Sequence, residues 1–106
     1  MLTQAHIYIK GDVIGVGMRG WVRVHAKSLN VTGWARNVFN KPDLFGKSGG
    51  VEAILQGSKR AIDDLVDLVK KNGTIGHIHD IEVYYQDPKE IFEDFLIRKS
   101  ESFLHK

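Results

Sequence analysis

A glycine-rich segment near the start of the chain carries the residue types and spacing that could support chemistry. Residues 15–20 read Gly-Val-Gly-Met-Arg-Gly and lie between a predicted strand and a predicted helix. Glycines let neighbouring backbone N–H groups turn toward one point and bind an anion. The helix adds its positive N-terminal end, and Arg19 adds a planar, permanently charged guanidinium that suits phosphate oxygens. The segment therefore predicts a compact site for one phosphate group.

Two other interpretations of this segment deserve comparison. It formally matches the G-x-G-x-x-G fingerprint of dinucleotide-binding domains. A chain of 106 residues is too short for two mononucleotide-binding halves, and no Gly-Lys-Ser/Thr follows that would make a P-loop. A plain glycine-rich turn with a solvated arginine is the alternative that these residues alone leave open.

Two longer motifs resemble the signatures of a known family, the acylphosphatases. Residues 11–19 read Gly-Asp-Val-Ile-Gly-Val-Gly-Met-Arg and resemble the phosphate-loop signature of that family. After the predicted helix, residues 33–37 read Gly-Trp-Ala-Arg-Asn and resemble its second signature. Residues 50–57 are similar to the family's third strand and residues 95–98 to its last strand. The resemblance covers nearly the whole chain.

The resemblance implies a specific activity. Acylphosphatases hydrolyse the carboxyl–phosphate bond of acyl phosphates to a carboxylate and inorganic phosphate, without a metal or another cofactor. It also implies two catalytic residues, Arg19 on the phosphoryl group and Asn37 on the attacking water. By similarity, the backbone amides that bind the phosphoryl group are those of Gly15, Val16, Gly17, Met18 and Arg19. These roles agree with phosphoryl transfer, which depends on positioning and charge stabilisation more than on covalent help.

Three features depart from the family pattern. Ile14 stands where the family usually has a polar Gln or Arg, and Met18 stands where it usually has an aromatic residue. Residues 38–50 form a longer connection than the short turn usual at that point. We expect these departures to affect rate, access or substrate preference more than identity. A non-catalytic phosphate- or acyl-phosphate-binding module of the same fold is the alternative function.

The hydrophobic pattern predicts the elements that position these residues. Alternating apolar residues indicate strands and apolar residues at helical spacing indicate helices. The predicted strands are 4–13, 31–38, 51–56, 81–85 and 93–98, and the predicted helices are 20–30 and 58–71. Ser58 is the predicted N-cap of the second helix, and Asn72 and Gly73 are its predicted C-terminal stop. This order predicts an α+β, ferredoxin-like βαββαβ sandwich, with an antiparallel sheet and two helices on one face. Residues 1–98 are predicted to form one domain, and residues 99–106 a short C-terminal tail.

Composition narrows the partners and the compartment. Fifteen Lys and Arg residues against 13 Asp and Glu residues give a net charge of +2, which favours neither nucleic acid nor an anionic membrane as a partner. The sequence has no cysteine, which excludes disulfides, thiolate catalysis and Cys-ligated metals. It also lacks an apolar run of the ~20 residues that a membrane span needs. We expect a cytoplasmic monomer whose partners are an acyl phosphate and its product, inorganic phosphate.

Histidines offer further candidate sites. His77 and His79 are two residues apart on a predicted strand and share one face, as two metal ligands would. No third ligand accompanies them by spacing, so no metal site is predicted. His25 lies in the helix after the glycine loop and could act as a base, but a packed or solvated side chain is the expected outcome.

Aromatic residues offer the remaining candidates. Trp21 and Trp34 could stack on an acyl group, although core packing is the expected role for both. RNA-recognition modules share the βαββαβ order and need aromatic and basic residues on the third strand. Residues 51–55, Val-Glu-Ala-Ile-Leu, supply neither. RNA recognition is therefore disfavoured.

Overall fold

The computed structural model describes residues 2–39, 41–46, 49–71 and 77–100. Within these ranges the chain forms strands and helices in the predicted βαββαβ order, with one extra helical turn and a short last strand. The elements are β1 (Thr3–Asp12), α1 (Met18–Ser28), β2 (Thr32–Val38), α2 (Pro42–Phe45), β3 (Gly50–Gly57), α3 (Lys59–Lys71), β4 (His77–Gln86) and β5 (Phe95–Ile97). The predicted ferredoxin-like fold is confirmed.

The strands form a single five-stranded sheet in the order β4-β1-β3-β2-β5. Neighbours among β1 to β4 are antiparallel, as predicted. β5 pairs in parallel with β2, so the whole sheet is mixed. β4 and β5 lie on opposite edges, and residues 87–94 must therefore cross the sheet to connect them. The sequence contains no signal for the direction of a strand that is only three residues long and follows such a crossing.

The two faces of the sheet have different environments. On β1, β2 and β3, residues with odd numbers point to the face that the helices cover, because odd positions pair with odd positions across the sheet. The even-numbered residues of these strands point to the opposite face, called here the outer face. The core lies between the helices and the sheet and includes Ala5, Ile7, Ile9, Met18, Val22, Ala26, Ala53, Ile62, Leu65 and Val69.

Several boundaries differ from the prediction. α1 begins at Met18 and not at residue 20, and β4 begins at His77 and not at residue 81. Residues 42–45, predicted as part of a loop, form a helical turn because a tertiary contact holds them. Phe45 is buried there and its ring lies edge-on to that of Tyr8, 5.7 Å between centroids.

The ends of α3 test two further predictions. Ser58 was predicted to cap the helix, and its Oγ accepts a hydrogen bond from the Ala61 N–H at 3.0 Å. That prediction is confirmed. The predicted C-terminal stop at Asn72 and Gly73 lies outside the described residues, as do residues 101–106 of the predicted tail. Within the described ranges, none of the helices has the length and apolar content to cross a membrane.

Candidate active site

The glycine loop joins β1 directly to α1. Gly15 and Gly17 have φ angles of 82° and 85°, in the left-handed region that side chains disfavour. A Cβ at either position would meet nothing within 4 Å, so the backbone conformation, and not lack of space, favours glycine here. Gly17 is the N-cap residue of α1 and provides no side-chain capping bond. The first N–H groups of the helix are therefore not satisfied by a side-chain cap.

Arg19 is the second residue of α1 and is half-buried. The first turn of this helix contains no acidic residue. In the part of the chain that the structure describes, the Arg19 side chain has neither a hydrogen bond nor an ion pair. The helix terminus and the guanidinium thus present positive charge at the same place without neutralising contacts, an arrangement suited to a phosphate.

Asn37 lies near the end of β2 on the face that the helices cover. Its side chain is buried, with 6% of its surface exposed, and its register partner is Val51 on β3. Within the described ranges, its carboxamide makes no hydrogen bond. Buried polar side chains nearly always have hydrogen-bond partners, so this group is free to hold a water molecule or a ligand.

The loop packs against the end of β2, next to Asn37. A Cβ placed on Gly49 would lie 2.5 Å from the Val38 carbonyl oxygen and 2.9 Å from Cδ1 of Ile14. Ile14 of the loop, Val38 of the strand end and Gly49 therefore meet at one point. The contact places the glycine loop and Asn37 at the same end of the sheet.

The two departures from the family pattern in the loop have distinct environments. Met18 is buried in the core with 1% of its surface exposed, which fixes the start of α1. Ile14 contacts the segment that connects β2 to β3 and supplies no polar group there. Of the predicted backbone donors, Gly15, Val16 and Gly17 are exposed. The loop is thus anchored by Met18 and open to solvent at its tip.

The other sequence candidates contact neighbouring side chains, and His77 pairs with Asp12 at the end of β1, just before the loop. The rings of His77 and His79 are 5.7 Å apart on β4, and the described residues contain no group of three potential metal ligands. His25 stacks on Trp21 with 4.1 Å between ring centroids. Trp34 lies on the outer face, opposite to Asn37, and the guanidinium of Arg98 lies 4.7 Å from the centre of its ring.

Sequence reasoning missed a polar network on the outer face. Glu52 is only 8% exposed, and its carboxylate is 2.5 Å from His6 Nε2 and accepts a hydrogen bond from Arg36 Nε at 2.8 Å. Burial raises the pKa of the Glu52 carboxyl, but the hydrogen bonds from His6 and Arg36 outweigh burial and hold that pKa below its usual value. The signal that could have revealed this network is the strand register, in which the acidic Glu52 lies opposite Tyr8 on β1 and Arg36 on β2.

Comparisons with known proteins identify the family. The sequence model of the acylphosphatases matches residues 5–97. The acylphosphatase of Mycolicibacterium vanbaalenii is 35% identical over 91 residues, which cover 86% of this chain and 89% of that protein. The crystal structure of an acylphosphatase from Bacillus subtilis gives a TM-score of 0.75 and 28% identity, covering 92% of this chain and 99% of that chain.

A second structural match comes from a much larger protein. Full-length HypF, in a phosphate- and nucleotide-bound form, gives a TM-score of 0.83 and 26% identity. The match covers 98% of this chain and 13% of HypF. The fold is therefore that of a ferredoxin-like α+β enzyme domain. The chain belongs to the acylphosphatase family and is a hydrolase, which confirms the resemblance seen in the two signatures.

Proposed function

We propose that the chain hydrolyses acyl phosphates through a phosphate cradle at the glycine loop, with Arg19 and Asn37 as its catalytic residues. The proposal rests on one observation, that neither side chain has a hydrogen-bond partner among the described residues. Arg19 is a cation without a partner among the described residues, at the positive end of α1. Asn37 is a buried amide that likewise lacks a hydrogen bond within the described ranges, at the same end of the sheet.

The cradle binds the phosphoryl group of the substrate. The guanidinium of Arg19 donates two parallel hydrogen bonds to phosphoryl oxygens, as its planar geometry favours. The backbone N–H groups of Gly15, Val16, Gly17, Met18 and Arg19 donate to the remaining oxygens. These donors stabilise the charge that develops on the phosphoryl oxygens during transfer.

Asn37 holds the attacking water through its side-chain amide. The water oxygen forms a bond to phosphorus while the bond between phosphorus and the acyl oxygen breaks, and the carboxylate leaves with the electron pair. The proton of the water passes to a phosphoryl oxygen, so the products are a carboxylate and inorganic phosphate. A carboxylate is a good leaving group, and the step needs no strong general base and no metal ion.

The decisive experiment measures turnover of benzoyl phosphate by the purified protein, before and after exhaustive treatment with EDTA. We expect hydrolysis with unchanged kcat/KM after chelation. Loss of activity with EDTA, restored by a divalent ion, would contradict the metal-independent mechanism. Binding of inorganic phosphate without any turnover would favour the alternative, a non-catalytic phosphate-binding module.

A further inference from the structure

A pocket lies on the outer face, on the other side of the sheet from Asn37. It encloses about 360 Å³, within the range of roughly 300–1,000 Å³ that small-molecule sites occupy. Its walls combine three apolar side chains with one amide and three charged groups. The lining residues are Gln4, Trp34, Ile54, Lys89, Glu90, Phe92 and Arg98.

The floor and the rim of this pocket are fixed by hydrogen bonds. Gln56, fully buried in β3, donates to the Glu90 carbonyl at 2.5 Å and accepts from the Phe92 N–H at 3.0 Å. The same amide donates to Oε1 of Gln4 at 2.8 Å, and Gln4 donates to Gln86. The segment that crosses the sheet between β4 and β5 is therefore fastened to the strands beneath it. The walls of this open pocket are held in place without a ligand, which lowers the cost of ordering a ligand site.

The cations of the pocket are available to an anion. The guanidinium carbon of Arg98 lies 4.7 Å from the centre of the Trp34 ring and 5.9 Å from that of Phe92. Within the described ranges the Arg98 side chain donates no hydrogen bond to the protein, so its N–H groups are free to bind a carboxylate. Among residues 2–39, 41–46, 49–71 and 77–100, neither Arg98 nor Lys89 has a carboxylate partner. With Glu90 also present, the lining carries one net positive charge.

We propose that this pocket binds a small organic carboxylate with an apolar body. The carboxylate pairs with Arg98 and Lys89, and the apolar body lies against Phe92 and Ile54. The proposal goes beyond the catalytic function, because the pocket shares no residue with the glycine loop or with Asn37. The net charge of one positive unit on the lining favours a monoanion over a nucleotide or a polyanion.

The test uses phenylacetate as the probe and the indole N–H signals of Trp34 and Trp21 in NMR spectra as reporters. The titration is carried out in saturating inorganic phosphate, which occupies the catalytic loop, and Trp21→Phe assigns the two signals. We expect a saturable shift of the Trp34 signal with no matching shift of Trp21. Acetate, which lacks the apolar body, and benzyl alcohol, which lacks the charge, should each bind at least about tenfold more weakly.

Matched variants separate the pocket from general surface charge. Arg98→Gln should weaken phenylacetate binding at least about tenfold, or about 1.4 kcal/mol. Lys99→Gln removes the neighbouring exposed charge outside the pocket and should leave the affinity within twofold. Lys89→Gln should give a smaller loss than Arg98→Gln and provides a second variant if Arg98→Gln does not fold. An unmoved Trp34 signal, or equal effects of Arg98→Gln and Lys99→Gln, would overturn the proposal.

Discussion

The Glu52 network on the outer face and the candidate active site on the helix side treat their polar side chains in opposite ways. On the outer face, Arg36 donates a hydrogen bond from Nε to Oε1 of Glu52 at 2.8 Å, and its Nη2 forms an ion pair with the same oxygen at 2.7 Å. On the helix side, Arg19 has no such contact within the described part of the chain. Both are permanent cations near the same end of the sheet. One is neutralised by the fold, and the other is left for a ligand.

Glu52 and Asn37 repeat this contrast with buried side chains. Their exposed fractions are nearly equal, 8% and 6%, and they lie on adjacent strands. Glu52 has two partners, whereas Asn37 has none among the described residues. Leaving a buried polar group unsatisfied costs about 1–3 kcal/mol, so a fold keeps one only where another benefit offsets the cost. We therefore expect the outer network to support stability and the helix side to support catalysis.

Replacement of Arg19 is the strongest test of this contrast. Two charge-assisted hydrogen bonds of about 1.5–3 kcal/mol each correspond to a loss of about 10²–10⁴-fold in kcat/KM for Arg19→Ala. Arg19→Lys should be almost as damaging, because a point charge cannot reproduce the planar fork. Assays with benzoyl phosphate measure the effect, with the exposed Arg60→Lys as the control. A lysine variant that keeps most of the activity would contradict the two-bond role.

Replacement of Asn37 separates chemistry from binding. Asn37→Ala should lower kcat by about 10²-fold, because the water loses its position, while the inhibition constant of inorganic phosphate stays unchanged. Asn37→Asp should do no better, because its negative charge repels the anionic substrate. Because Asn37 makes no hydrogen bond within the described ranges, Asn37→Ala should not lower the free energy of unfolding through a lost hydrogen bond. The split between chemistry and binding is checked by measuring the phosphate affinity of the alanine variant by calorimetry together with its kcat. Equal losses in both would assign Asn37 to binding.

Replacement of Glu52 should lower stability and leave activity nearly unchanged, the reverse of the effect expected for Asn37. Glu52→Gln should lower the free energy of unfolding by about 1–3 kcal/mol at pH 7 and leave kcat/KM within about threefold. Because the folded protein holds the pKa of this carboxyl below its ordinary 4.5, the group stabilises the fold above pH 4.5. That contribution is lost as the pH falls below 4.5 and through the lowered pKa.

Urea unfolding at pH 7 and at pH 3 measures this difference. The gap in stability between the wild type and Glu52→Gln should shrink as the pH is lowered from 7 to 3, because below the ordinary pKa of 4.5 the carboxyl is protonated in the unfolded chain and its contribution to stability declines. Glu93→Gln, at an exposed position, is the matched control and should show no comparable gap. A large loss of activity in Glu52→Gln without a loss of stability would break the division between the two faces.

The sequence predicted the parts of the molecule that depend on local pattern. Alternation placed β1 and β3, helical spacing placed α3, and Ser58 marked its first turn. The glycine spacing predicted a loop between β1 and α1 whose backbone N–H groups turn toward one point, and Gly15 and Gly17 of that loop have left-handed backbone. These features follow from the conformational preferences of neighbouring residues, which a single sequence displays directly.

The remaining features depend on contacts between distant residues. The α2 turn is held by Phe45 against Tyr8, and the parallel pairing of β5 depends on a chain crossing over the sheet. The absence of a hydrogen-bond partner for Asn37 within the described ranges is equally invisible in sequence, where only the resemblance suggested its role. Strand register and burial decide which side chains form hydrogen bonds with one another, so these partners are seen only in the folded molecule.

The smallest effect is expected from His25, which lies on the catalytic side of the sheet but is engaged with Trp21. The two rings are 4.1 Å apart, one helical turn from each other on α1. Because the proposed chemistry uses the substrate's own phosphate as the proton acceptor, no imidazole is required. His25→Asn should keep kcat/KM within about twofold at every pH from about 5.5 to 7.5, the interval in which a histidine base would titrate. The profile of the wild type and the variant should then run parallel. A loss of about 100-fold, the usual contribution of an acid–base catalyst, would show that this histidine is the missing base and that Arg19 and Asn37 do not complete the site.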